Sequence, residues 1–490
     1  MKRLQNISDL IDPKRDPNTI AIVDRTGGTR NEITYGELLE RIAIARTNLT
    51  SQHGVEAGDY VVLLGANSIH YLAAYFASMS IGAVATPINP SFEPDIIKKL
   101  LDDVSPKIIL ADEAFGESTS AEYVPIESID VGTKDESIAL IVDPEALAVV
   151  LFTSGSTGAP KGVMLSHSAL IKSLYAMEKE IALLGQTCVI VSAPLFHMGA
   201  LNYVHMWFTA GGKIALLPRF EAGTFLTALE EDRVAVIGGV PPMIPRLAKA
   251  AQDLGKGPFP GVGAVAIGSA PLTEAIIEDC RNLFPNAMVV NNYGTTEIGP
   301  GVFGGHPEGL ARPQMSIGYT RNTDGVRLAD GANDDEGVLE VKAESLMKGY
   351  LHKDDLTQRR IRNGWYRTGD LMQRDENGFF FCVGREDDMF LCNGENVYPI
   401  ECEALLESHP DILQAAVIPV EDAKSGSVPI AFVVLANGAD TTEDAIRQFT
   451  RENGPAYRHP RRVIFLDTMP MNAVNKIDKA TLSKHASISH

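Results

Sequence analysis

Short apolar runs that each close on proline, glycine or asparagine recur along the middle of this chain: CVIVSAP, KIALLP, VAVIGGVPP, GAVAIGSAPL and AMVVNNYG. A run of that length bounded by turn residues reads as a strand buried on both faces. The same texture begins earlier. NEITYGELLERIAIARTNL opens with the capping pattern Thr34-x-x-Glu37 and continues with helical apolar spacing. YVVLLGAN predicts a strand, HYLAAYFASMSIGAVATPINP a helix and then a strand, and IIKKLLDDVSPKIILAD the same pair again. Strands that alternate with helices need crossover connections. The chain is thereby constrained to an α/β class, with parallel-rich sheets flanked by helices. In open sheets of this kind ligands bind outside the carboxyl ends of the strands. The polar tails of the apolar runs are where a site belongs.

After about Gly318 the pattern changes. GVRLADGANDDEGVLEVKAESLMKGY and WYRTGDLMQRDENGFFFCVGREDDMFLCNGENVYP predict short antiparallel strands, a β-rich subdomain. From Pro399 a helix, two strands, a helix and a strand follow, enough for one small α+β unit. The polar stretch Gly384–Asp388 sets the boundary. The expected division is a large N-terminal domain over residues 1–385 and a small C-terminal domain over 386–490. At ~150 residues per domain, 490 residues suggest two to four domains or subdomains.

Lys and Arg number 43 and Asp and Glu 63, a net charge of −20. That field repels nucleic acid and anionic membranes, so an anionic ligand needs a locally basic site. The cysteines at 188, 280, 382, 392 and 402 include no C-x-x-C pair. Free thiols in a reducing cytoplasm are therefore expected rather than zinc or disulfides. The N-terminal MKRLQNISDLIDPKRDP lacks an apolar h-region, and no apolar stretch is long enough to span a bilayer. A cytoplasmic protein without integral membrane association is expected.

The loop TSGSTGAPKG, Thr153–Gly162, follows the apolar strand LAVVLF and leads into GVMLSH. Glycines permit close backbone approach, amide groups in such a turn form an anion nest, and hydroxyls with Lys161 add donors and charge. Phosphate binding is the chemistry implied. The loop is not a Walker A sequence, because Pro160 and Lys161-Gly162 stand where Gly-Lys-[Ser/Thr] is required.

S-G-S-T-G-x-P-K-G after an apolar strand resembles the AMP signature of the acyl-adenylate-forming enzymes, which include the acyl-CoA synthetases. Further motifs extend the resemblance over nearly the whole chain. The resemblance assigns ATP contacts to Thr153, Ser154, Gly155, Ser156, Thr157, Gly158 and Lys161. NYGTTE, Asn292–Glu297, resembles the second signature. Tyr293 would stack on adenine, Asn292, Gly294 and Thr295 line the nucleotide, Thr296 would bond phosphate and Glu297 would hold Mg²⁺. IGSAPL brings Gly268, Ser269 and Ala270 past acid and AMP. WYRTGD places Asp370 on the ribose hydroxyls, and VGRED places Arg385 on the nucleotide and Asp387 at the hinge. PLFHMGALN puts His197 beside the reacting carboxylate. PMNAVNKIDKATL lands Lys476 on the catalytic lysine. CNGENVYP and AYRHP mark Asn393, Gly394, Glu395 and Arg458 for CoA.

What the resemblance implies is a two-step ligase. A carboxylate attacks the α-phosphorus of ATP to give acyl-AMP and pyrophosphate, and the thiol of CoA then displaces AMP. ATP, Mg²⁺ and CoA are the expected cofactor and co-substrates. The expected partners are small molecules, with a homodimer as an open option. The acid pocket is expected to draw on His197, Met198, Leu201, Asn202, Val240, Gly268 and Ile298, an apolar mixture suited to an aryl, arylpropenoic or short-to-medium aliphatic acid. Three departures stand out. Asn393 and Asn475 replace glycines of the family pattern, and Arg458 replaces a lysine. Asn tolerates positive φ better than most residues, and Arg keeps charge while changing hydrogen-bond shape. A free-standing enzyme that loads a carrier protein is the alternative reading, and a non-catalytic nucleotide-binding scaffold the remote one.

Overall fold

The computed structural model describes residues 4–26, 28–116, 121–141, 143–153, 160–185, 187–270, 272–393, 395–422, 426–436, 438–472 and 476–488. They form four sheets. The first runs in the order Met288–Asn292, Ala264–Gly268, Val234–Gly239, Cys188–Val191, Lys213–Leu216, Ile20–Asp24 and Asn31–Thr34. Its neighbours are parallel apart from the final pair. The second runs Gly349–Tyr350, Lys161–Ser166, Leu147–Thr153, Val84–Pro87, Tyr60–Leu64, Ile108–Ala111 and Val124–Pro125. It is parallel except at Lys161–Ser166, which lies antiparallel to both neighbours. The apolar runs of the sequence thus become strands of an α/β structure, as expected, mostly buried, with the edge strand Met288–Asn292 partly exposed.

One core is shared between these sheets. The helix Ile69–Ser80 is buried along almost its whole length, and its Tyr75 and Phe76 pack with Phe208 and Trp207 of the helix Met198–Ala210 in the same cluster. A helix apolar on all sides has no solvent face to offer and must lie between layers. Thr34 and Glu37 close the expected capping box at the helix Tyr35–Thr47. The Thr34 amide donates to Glu37 Oε2 at 2.7 Å, and the Glu37 amide donates to Thr34 Oγ1 at 3.2 Å.

The third sheet is antiparallel: Phe303–Gly304, Gly318–Thr320, Phe379–Arg385, Trp365–Arg374, Glu336–Val341 and Val326–Ala329, with Ile361–Arg362 beside Trp365–Arg374. The fourth contains Glu395–Val397, Phe390–Cys392, Gly426–Leu435 and Ile412–Asp422, with Arg462–Phe465 parallel to Gly426–Leu435. It has a core of its own, drawn from Phe390 through Ala486. A short 3-10 turn, Glu386–Asp388, joins the third sheet to the fourth. No helix among the described residues is long and apolar enough to cross a membrane.

Candidate active site

Two parallel strands end side by side, with Gly268 in register with Asn292. A Cβ on Gly268 would lie 2.6 Å from the Asn292 carbonyl oxygen. The glycine is therefore required for the strands to run together. Just past these ends Ser269 adopts φ +68°, a left-handed conformation that costs a non-glycine residue free energy and gathers at functional sites. Ala270 follows it, and on the neighbouring strand Asn292 leads into Tyr293, Gly294, Thr295, Thr296 and Glu297. This is the carboxyl edge where the sequence places a ligand.

The hairpin Leu147–Thr153/Lys161–Ser166 brings Thr153 opposite Lys161. Ser154, Gly155, Ser156, Thr157 and Gly158 lie outside the described residues. Burial lowers the Lys161 ammonium pKa. Arg360 and Lys353 lower it further, while Glu297 and Asp387 oppose them.

Asp370 and Arg385 face each other across two antiparallel strands, and the guanidinium is hydrogen-bonded to Asp370 Oδ1. The Tyr293 phenol donates to Asp370 Oδ2 at 2.5 Å. Asp370 is 5% exposed; burial raises its pKa, against Arg385 and Tyr293 which lower it. Tyr293, expected to stack on adenine, thus uses its hydroxyl to hold the residue expected at the ribose.

Glu297 is 9% exposed. The Tyr350 hydroxyl donates to its Oε1 at 2.9 Å, and among the described residues it makes no ion pair. Tyr350 in turn hydrogen-bonds with Tyr366, and burial pushes both phenols up. A nearly buried carboxylate with one neutral donor and no resident cation suits a hard metal ion. Among the described residues no group of three His, Cys, Asp or Glu could hold a metal without outside help. Mg²⁺ is commonly bound by one carboxylate with substrate phosphates and water, so this donor set fits it.

Lys476 comes from the other end of the chain. Burial and the nearby Arg385 lower its pKa, and Asp370 raises it. Its charge also reaches His197, whose pKa is lowered to about 4 first by burial and then by Lys476. His197 Nε2 is buried and has no hydrogen-bond partner among the described residues. His197 stands at the N-terminal cap position of the helix Met198–Ala210. Asp370 and Arg385 are thus in contact, Lys476 lies within electrostatic reach of His197, Asp370 and Arg385, and Lys161 within reach of Glu297.

The rest of the acid-pocket set is more scattered. Leu201 and Ile298 are fully enclosed in the shared core, and Met198 is buried there. Asn202 and Thr296 line a small enclosed space with Ser173, His205 and Ser345. Val240 packs partly buried against the outer core of the first sheet. Sequence reading did not single out Tyr203 for this pocket. Its ring lies over Gly238, where a Cβ would come within 2.2 Å of it. Its hydroxyl hydrogen-bonds with Asn292, and burial raises its pKa to about 12. The signal in the sequence was a tyrosine nearly two helical turns past His197, opposite a Gly-Gly strand end.

Asn393 adopts φ +54°, the left-handed conformation that a glycine-to-asparagine change must tolerate. Gly394 and Asn475 lie outside the described residues. Glu395 pairs with Cys392 across a tight hairpin. Arg458, expected to meet CoA, pairs with Glu401 at 2.8 Å and lies over the Tyr457 ring.

The family model described as AMP-binding enzyme matches residues 12–351, and the AMP-binding enzyme C-terminal domain matches residues 401–476. The chain is 32% identical over 483 residues to a feruloyl-CoA synthase of Amycolatopsis sp, with 96% of each chain covered. It is 31% identical over 481 residues to a 2-succinylbenzoate–CoA ligase of Geobacillus kaustophilus, covering 96% of this chain and 95% of the relative. The fold matches the crystal structure of ATP-bound MatB from Rhodopseudomonas palustris with a TM-score of 0.86 at 26% identity, over 99% of both chains.

Proposed function

This chain belongs to the AMP-binding enzyme family and is an AMP-forming acid–thiol ligase, and from that premise we propose that it joins an aromatic or arylpropenoic acid to coenzyme A. What supports the reading is the placement of Lys476 within electrostatic reach of His197, Asp370 and Arg385. Lys476 stands where two anions must be brought together, the acid's carboxylate and the α-phosphate of ATP.

In the first step a carboxylate oxygen attacks the α-phosphorus. The new P–O bond forms as the bond to the β-phosphate oxygen breaks, and pyrophosphate leaves with the electron pair. Lys476 stabilises the charge on the transferred phosphoryl group, where a fixed cation acts with little reorganisation. His197 stays neutral at physiological pH because of its burial, so it directs the carboxylate without pairing to it. Asp370, fixed by Tyr293 and Arg385, receives the ribose hydroxyls. Magnesium, when bound, would be held by Glu297 with phosphate oxygens and supplies positive charge against the leaving pyrophosphate. In the second step the CoA sulfur attacks the acyl carbon, AMP leaves, and the thiol proton passes to solvent. Asp387 serves as the hinge about which residues 386–490 turn between steps. Asn393, Glu395 and Arg458 then face CoA. The protein works in the cytoplasm.

The acid side supports an uncharged ring. The segments 197–203, 238–240 and 268–270 contribute His, Met, Asn, Tyr, Val, Leu and small residues, with no arginine or lysine. A second carboxylate finds no counter-charge there. The Tyr203 ring offers an aromatic face, and the feruloyl-CoA synthase relative agrees with an arylpropenoic substrate.

Pyrophosphate release is the test, measured with ferulate, 4-coumarate, benzoate, hexanoate and 2-succinylbenzoate, each with and without CoA. The expected result is fastest release with the arylpropenoates and a matching CoA thioester by mass spectrometry. Release confined to the dicarboxylate or to hexanoate overturns the acid class. Release that CoA does not accelerate, with no thioester formed, favours the carrier-loading alternative.

A further inference from the structure

The phosphate side of the site carries two cations that no motif names, Lys353 and Arg360. The Lys353 ammonium donates to the Pro160 carbonyl at 3.4 Å, which sets it against the end of the loop that begins at Thr153. Arg360 closes the helix Asp354–Arg360. That helix is tied to the Glu297 side of the site: the Tyr350 amide donates to Thr357 Oγ1 at 2.9 Å, and the same tyrosine's hydroxyl holds Glu297.

Arg360 Nη2 donates to Asp387 Oδ2 at 3.0 Å. The two groups meet over Gly369, the residue before Asp370. A Cβ there would lie 3.1 Å from Arg360 Nη1, 3.6 Å from Arg385 Nη2 and 3.8 Å from Asp387 Oδ2. Arg360 is also the charge that acts most strongly on Lys161, ahead of Glu297, Asp387 and Lys353.

The local charges do not balance. Asp370 takes Arg385, Asp387 takes Arg360, and Glu297 takes a phenol. Lys161, Lys353 and Lys476 have no ion-pair partner among the described residues. Lys161, Lys353 and Arg360 lie within electrostatic reach of one another, and like charges so placed are relieved by an anionic ligand. The most highly charged anion in the reaction is the pyrophosphate end of ATP.

We propose that Lys353 and Arg360 seat the β- and γ-phosphates of ATP and the pyrophosphate they become, and that Arg360 reaches them by exchange with the hinge carboxylate of Asp387. The proposal rests on the reading of the chain as an adenylating ligase. It makes pyrophosphate and the hinge ion pair competitors for one guanidinium, so substitutions at the two ends of that pair act with opposite sign. Removing Arg360 deletes a contact to the anion. Neutralising Asp387 frees Arg360 for it. A purely structural tie between helix and hinge would suffer the same way from either change.

The experiment is calorimetric binding of magnesium pyrophosphate to the full chain, with no ATP or acid present, for the parent protein and for K353Q, R360Q, R360K and D387N. Thermal unfolding midpoints establish that each variant is folded. The expected result is binding at least tenfold weaker in R360Q and K353Q, partial recovery in R360K, and binding severalfold tighter in D387N. R360Q within twofold of the parent overturns Arg360's place in the seat, and D387N that fails to tighten overturns the exchange. Should R360Q not fold, K353Q and D387N decide on the same readings. A chain that binds pyrophosphate as expected yet releases none with any acid would refute the ligase reading separately, because binding is read without turnover.

Discussion

Gly268→Ala is a single methyl placed at the seam of the site. The added Cβ would sit 2.6 Å from the Asn292 carbonyl oxygen and 3.3 Å from the Asn292 carbonyl carbon and Cβ. Ordinary contact begins near 3.4 Å, so the two parallel strands must part by about 0.8 Å at this point. The obstacle is backbone held in a ladder, so no flexible side chain can swing aside. Overpacking of this kind costs about 1–3 kcal/mol. The functional effect is larger than the stability effect, because one strand carries Ser269 and the other Tyr293, and they flank the expected nucleotide. A misplacement approaching 1 Å costs on the order of 100-fold in rate. The expected outcome is kcat/KM for ATP in pyrophosphate release reduced about 30- to 100-fold, with chemical denaturation lowered by about 1–3 kcal/mol. A Gly268→Ala protein within twofold of the parent in kcat/KM would refute the argument that the seam is tight. Loss of stability without loss of rate would show that strain is absorbed away from Tyr293.

Lys476→Ala is expected to slow acyl-adenylate formation by about 100- to 1,000-fold, with a much smaller effect on thioester formation from preformed acyl-AMP. Equal losses in the two half-reactions sink the assignment of the lysine to the first step. Tyr203→Ala removes the ring that fills the space above Gly238, so an acid bulkier than ferulate gains about tenfold in kcat/KM relative to ferulate; an unchanged ratio, measured by competition, places Tyr203 away from the acid. Burial holds His167 and His197 at pKa about 4 and His205 at about 3. The unfolded chain takes up these protons near pH 6.5 while the folded chain refuses them until about pH 4 or below. Stability is thus full above pH 6.5 and falls steadily below it, by about 3 kcal/mol each for His167 and His197 and about 5 kcal/mol for His205 at the limit. Urea midpoints flat between pH 7 and pH 5 would contradict this. Burial raises Glu407 to about 7, which has the opposite sign. Its contribution is complete below about pH 4.5 and is lost as pH rises through 7, so Glu407→Gln is expected to raise the unfolding midpoint at pH 8 more than at pH 5.

The parallel sheets were legible because most of their strands are buried and read as unbroken apolar runs, even where an edge strand such as Met288–Asn292 is partly exposed. The capping box at Thr34 and Glu37 was legible because it is a local exchange of two hydrogen bonds. The backbone tolerance asked of Asn393 could be anticipated as well, since left-handed φ is a property of residue type and the residue indeed sits at +54°. Side-chain partnerships across long separations were not legible. Nothing in a one-dimensional pattern announces that Tyr350 donates to Glu297, that Tyr203 fills the space over Gly238, or that Arg360 reaches Asp387. Leu201 and Ile298 illustrate the converse. Their neighbours in sequence are candidates for the site, but helical and turn geometry points these two side chains into the core.

Arg385 is the last residue of its strand, and the turn Glu386–Asp388 begins immediately after it. The pair Asp370–Arg385 therefore lies wholly on the N-terminal side of the proposed hinge, directly against it. In the proposed cycle, a rotation of residues 386–490 would carry off Lys476 and take Asp387 from Arg360, yet leave Tyr293, Asp370 and Arg385 as they are. On that proposal, custody of the adenylate would be separated from its manufacture. The intermediate can stay berthed on one set of residues while the crew that works on it changes, and a reactive mixed anhydride need never be released between shifts.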